Sequence, residues 1–192
     1  MSLPSRAIGL AVLALASCSK GSDSSTSRRA VDSTRIAEGE TYVRMIARNA
    51  VHAYERESID EHILETDTPP PLAHELCKDS TAVPEVIPSG NKYQASSEPG
   101  RDFATGDVKT GWKCLKFALS SPTSFQIQYR RGAGYKGPAR GGPDPGPEGF
   151  EASAEADLDG DGKKTTLITM TGVVDEATHS VKLAPEPFIA EE

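Results

Sequence analysis

Asp157, Asp159 and Asp161 stand in the run Asp-Leu-Asp-Gly-Asp-Gly, which sets three carboxylates at alternate positions. Oxygen donors so spaced can converge on a hard cation, and calcium is the ion this pattern suits. A full twelve-residue calcium loop also needs a bidentate acid at its last position, and Ile168 occupies that place. Two readings stand: a reduced calcium site completed by backbone carbonyls and water, or an acidic β-turn in which Gly160 and Gly162 supply unusual dihedrals. Lys163 and Lys164 lie beside the turn and lower the field a cation would feel there.

A second cluster is basic. Arg130, Arg131, Lys136 and Arg140 come with Tyr129 and Tyr135 and no acid between them, so this aromatic-flanked binding loop could meet DNA or a polyanionic glycan. The plain alternative is a solvated run of cations. The formal charge of −7 opposes nonspecific attraction to nucleic acid, which is not an expected partner.

Nothing else assembles into a reactive constellation. His52, His62, His74 and His179 show no metal-protease spacing, and the chain has no nucleophile elbow, phosphate loop or dinucleotide fingerprint. A non-enzymatic protein is expected, with no cofactor apart from the calcium alternative.

The elements that must position these residues are legible as periodicities. Ile36, Val43, Ile46, Ala47, Ala50, Val51 and Tyr54 recur at helical spacing in a proline-free stretch, predicting a helix over about 33–65. Asp32 and Ser33 are suitable N-caps, Gly39 weakens the first turns by about 1 kcal/mol, and Pro69, Pro70 and Pro71 forbid continuation. Such a rod would be roughly 45–50 Å long. Its apolar stripe needs a partner surface.

Strands supply it. Phe125, Ile127 and Tyr129 alternate with polar residues, as do Phe150, Ala152, Ala154 and Ala156, and two further runs follow at 167–174 and 181–183. The first of these, at 125–130, reads as a half-buried strand, and together they predict a small antiparallel meander within about 112–185. Residues 132–149 are rich in Gly and Pro and read as a mobile excursion or a binding loop. Residues 66–111 are turn-rich and predicted to be irregular, and Trp112 is a core anchor.

Cys18 closes Leu15-Ala16-Ser17-Cys18, behind an apolar run at 7–16 and the positive Arg6. The run is a signal-peptide core, too short to span a bilayer. The pattern resembles the lipobox of bacterial lipoproteins, with Leu at minus three and small residues before the cysteine. The resemblance implies cleavage of 1–17, lipidation of Cys18 and durable attachment to a membrane through several acyl chains. Ser19 in place of Asp implies, by the sorting rule of that family, the outer membrane of the cell envelope, on its periplasmic or exterior side. Residues 18–32, polar and serine-rich, would be a flexible tether, and 33–192 one domain. With Cys18 lipidated in an oxidising compartment, Cys77 and Cys114 remain as an even pair and are expected to form a disulfide.

The whole pattern is α+β: a long N-terminal helix packed on a small antiparallel sheet, with one disulfide. This plan resembles that of type IV pilins and pseudopilins. The stretch Gly111-Trp112-Lys113-Cys114-Leu115-Lys116-Phe117, then Pro122 and 125–129, is similar to the first strand region of pilin-like domains, and 150–162 to the strand and acidic turn that follow. Some pseudopilins bind calcium in a sheet loop. Pilins begin with an apolar half-helix that packs in the filament core; here Cys18 and a polar tether take its place, implying a pilin-like head delivered as a lipoprotein. The expected function is protein contact in surface assembly, adhesion or secretion, with envelope, pilus or secretion proteins as partners. The alternative is a surface lipoprotein that binds calcium or a glycan.

Overall fold

The computed structural model describes residues 23–56, 74–163 and 165–191, with helix side chains given from Ser33 onward. The segment 1–17 expected to be a signal peptide, Cys18 and the prolines at 69–71 lie outside the described residues. The first helix, α1, is Asp23–Glu55, and its backbone begins within the stretch read above as a tether. Val43, Ile46, Ala47, Ala50, Ala53 and Tyr54 are all buried, so the stripe expected from three- and four-residue spacing is the packed face.

The helix closes at Glu55, short of the expected end near 65. The Tyr54 carbonyl accepts from His74 Nδ1 at 3.0 Å, and the Arg56 guanidinium donates to the Cys114 carbonyl. These contacts from distant segments fasten the end of the helix. Residues 57–65 lie outside the described residues.

Five strands form one antiparallel sheet: β1 Gln126–Arg131, β2 Gly149–Ala156, β3 Thr166–Asp175, β4 Ser180–Leu183 and β5 Phe188–Glu191. The order is β1-β2-β3-β4, and β5 also pairs with β3. Residues 166–169 have β2 on one side and β5 on the other, so β4 and β5 share one edge of β3. They are a single return strand interrupted at Pro185 and Pro187, which cannot donate to a ladder. The sheet therefore runs on to Glu191, beyond the limit near 185 expected from sequence.

The opposite edge, β1, is closed by 79–83. Val83 and Ile127 exchange backbone bonds of 2.9 and 2.7 Å, Ser80 N–H donates to Tyr129 O at 3.0 Å, and Arg131 N–H donates to Asp79 at 2.7 Å. Satisfied in this way, β1 presents no free edge there.

A correction concerns 111–117. The stretch resembling a first strand holds a short helix, α2 Gly111–Leu115, ended by Lys116 at φ 51°. Trp112, Cys114 and Leu115 are buried within it. Trp112 stacks in a cluster with Phe103 and Phe117 at centroid distances of 5.1 and 5.5 Å, and its indole donates to Thr81 O at 3.0 Å. Burial on one side at i and i+3 suits a helical turn, whereas a strand would turn alternate residues away. Cys77 and Cys114 form the expected disulfide, with Cα atoms 5.8 Å apart.

α1 lies on one sheet face, against β2, β3 and β4. Ile127, Tyr129, Phe150, Ala152, Ala154, Ile168 and Met170 share that face by register and are buried. The other face carries Gln126, Gln128, Glu151, Ser153, Glu155, Thr169 and Thr171, and these are buried too. The half-buried alternation expected at 125–130 is thus overturned for Gln126–Tyr129, buried on both faces, and β2 is likewise covered on both faces along its length.

Candidate functional site

The acidic turn joins β2 to β3. Single carboxylate oxygens of Asp157, Asp159 and Asp161 lie within 4.8 Å of one another, Asp157 buried and the other two exposed. Internal donors account for this convergence. Asp157 accepts from the Ser89 hydroxyl at 2.7 Å, Gly160 N–H at 2.7 Å and Gly162 N–H at 2.9 Å. Asp159 accepts from Asp161 N–H at 3.2 Å, and Asp161 from Lys163 N–H at 2.8 Å. The Ser89 hydroxyl and the two glycine N–H groups hold the Asp157 carboxyl below the usual carboxylate range, against an opposing effect of burial. Gly160 and Gly162 both have φ of 74°, as the β-turn reading requires. Arg35 of α1 donates to Leu158 O at 2.6 Å and ties the turn to the helix.

The basic segment is placed otherwise than an open loop would be. Residues 132–148 fold back over the polar face of the sheet as a strap. Lys136 Nζ donates to Gln126 Oε1 at 2.8 Å and Glu155 Oε2 at 3.0 Å; Arg140 Nη2 donates to Glu155 Oε1 and to Thr165 Oγ1 at 2.9 Å. The Tyr135 hydroxyl donates to Gly146 O and Gly149 O, both at 2.8 Å, closing the strap on itself. Arg130 faces Asp79 at 3.7 Å, and Arg131 pairs with Glu75 at 3.1 Å. All four cations are engaged by carboxylates of the chain itself.

Two carboxylates on β2 organise this arrangement, and neither stands out in the sequence. Glu155 takes both strap cations. Burial pushes its carboxyl up, but the hydrogen bond and charge of Lys136, the Thr165 hydroxyl and Arg140 outweigh that and leave it below the usual range. Glu151, wholly buried, accepts Lys136 N–H at 2.7 Å and Gly137 N–H at 2.8 Å. Burial raises its carboxyl above the usual range, and the two N–H groups with the charges of Lys136 and Arg130 offset part of the effect.

No family model matches the chain, nor does any curated protein or solved structure. Function must therefore be argued from the residues. The structure brings the three aspartates together, joins Cys77 to Cys114, and divides the four basic residues between the strap and the strand β1. Glu151, Glu155 and Ser89 escaped the sequence reading. Period-two alternation puts Glu151 and Glu155 on one face, but only the returning strap makes that face interior, and Ser89 lies 68 residues from Asp157.

Proposed function

We propose that this is a non-enzymatic, lipid-anchored envelope protein whose head acts through protein contacts in surface assembly, adhesion or secretion. The observation that carries this reading is the Cys77–Cys114 disulfide, which uses two of the three cysteines and leaves Cys18, the lipobox residue, for acylation. A disulfide also belongs to an oxidising compartment. The long helix laid on an antiparallel meander supports the pilin-like description of the head, delivered as a lipoprotein to the outer membrane. Among the described residues no helix is long and apolar enough to cross a membrane. The internal pairing of Lys136 and Arg140 favours protein contact over capture of a polyanion by the basic segment.

Fractionation of cells producing the wild type or Cys18→Ala, with mass spectrometry of the mature amino terminus, tests the anchor. Wild-type protein in the membrane fraction with an acylated terminus, and soluble Cys18→Ala, are expected. Soluble wild type with an unmodified terminus overturns the reading. Protease shaving of intact cells then separates periplasmic from exterior display, and crosslinking on cells finds the protein partner.

A further inference from the structure

α2 turns its apolar residues inward and its lysines out. Trp112, Cys114 and Leu115 are buried, whereas Lys113 and Lys116, three residues apart and so on one side of the turn, are exposed. The neighbouring chain adds to them. Lys78 N–H donates to Lys109 O at 3.0 Å, Gly111 N–H donates to Lys78 O at 3.2 Å, and the Arg56 guanidinium donates to the Cys114 carbonyl, so five cations border one short helix. Among the described residues none of the four lysines forms an ion pair. The nearby acids are engaged otherwise. Glu55 faces His52 at 3.5 Å, Glu75 pairs with Arg131 and Asp79 with Arg130. Asp107, whose carboxylate feels the charge of Lys78, accepts the N–H groups of Lys109 and Thr110, both at 2.8 Å. Val108 stands beside them with 83 % exposure, the most exposed large apolar side chain among the described residues.

We propose that this face docks on an anionic lipid surface, with the cations at the headgroups and Val108 entering the interface, independently of any acyl chain at Cys18. The residue types select that partner. A lysine is a compact charge on a flexible stem, without the rigid fork that reads a single carboxylate or phosphate, and it suits a surface of smeared negative charge. A protruding aliphatic side chain finds nothing to bury against on a glycan or nucleic-acid backbone, whereas a bilayer interface accepts it. The formal charge of −7 does not oppose the contact. Screening at physiological salt acts over about 8 Å, so a lipid surface meets the local charge and not the sum. The acidic turn held by Arg35 lies at the other end of α1, separated from Arg56 by roughly 30 Å of helix.

Vesicles of phosphatidylcholine, with and without phosphatidylglycerol, test this on the full chain carrying Cys18→Ala, which removes the acylation site. Binding to the anionic vesicles should fall steeply with salt, and the amides of 106–116 should exchange more slowly on them. Each cation near such a surface strengthens binding by about fivefold, so Lys113→Gln combined with Lys116→Gln should weaken it by about 25-fold and flatten the salt dependence. Val108→Ser should weaken it severalfold and leave the salt dependence unchanged. All three side chains are exposed, so the substitutions spare the core. Residues 1–17 are identical in every variant, and their contribution cancels in these ratios. Equal binding by the lysine variant and its parent, or no slowing of exchange at 106–116 on anionic vesicles, overturns the proposal. Binding of poly-glutamate through these lysines without binding to anionic vesicles also overturns it, and marks an acidic protein as the partner.

Discussion

Gly39 of α1 rests directly against Ile168 of β3, so closely that a Cβ on the glycine would fall 2.6 Å from the Ile168 Cδ1 and 2.8 Å from Phe125 Cε1. The residue that costs the helix about 1 kcal/mol in propensity is the one that lets the helix approach the sheet. Gly39→Val should destabilise the fold by about 1–3 kcal/mol through overpacking, despite the better helix former. Urea denaturation measures it, and a neutral result would show that α1 can shift without loss.

Glu155 carries the ion pairs that fasten the strap. Glu155→Ala leaves Lys136 and Arg140 beside a buried face without their carboxylate and should cost about 2–4 kcal/mol. The figure lies below that of a fully buried pair because the Lys136 side chain keeps 25 % exposure. The pH dependence has a definite sign. A carboxyl held below its ordinary value of 4.5 contributes stability that is complete above that value and is lost as pH falls through its lower folded value. Wild type should therefore lose more stability below pH 4.5 than Glu155→Gln does, measured as denaturation midpoints across acid pH.

The Cys77–Cys114 bond closes a separation of 37 residues and joins α2 to the stretch leading into 79–83, which closes the β1 edge. Replacing both cysteines by serine should cost roughly 3–4 kcal/mol on the chain-entropy argument. Thermal unfolding of the oxidised, reduced and double-serine proteins measures this. Equal midpoints would show that the aromatic cluster around Trp112 holds α2 by itself.

The acidic turn is held by donors of the chain itself. Asp157→Ala removes the acceptor of Ser89, Gly160 and Gly162 and should lower the melting temperature, whereas a chelator should leave the wild type unchanged. Calcium titration by calorimetry supplies the complementary reading. A stoichiometric heat abolished in Asp159→Ala would establish the calcium alternative.

Periodicity made the main elements legible. The stripe of Val43, Ile46, Ala47 and Ala50 placed α1 and its buried face, and the alternations at 125–129 and 150–156 placed β1 and β2, because each pattern is complete within a few turns or pleats. The four-residue β5 escaped notice between prolines and the chain end, and α2 was mistaken for a strand because five residues are too few for a period to declare itself.

By itself, the sequence determined the helix, the three longer strands and the turn glycines, all set by local stereochemistry, while the pairing of Cys77 with Cys114 was expected only through the lipobox resemblance that sets Cys18 aside. Only the tertiary structure decided that 132–148 is a strap and that Glu151 and Glu155 lie beneath it. A glutamate on a strand is written identically whether water or another segment covers it. What covers it depends on where a glycine- and proline-rich segment returns, and that is decided by hydrogen bonds and ion pairs between groups 10–25 residues apart.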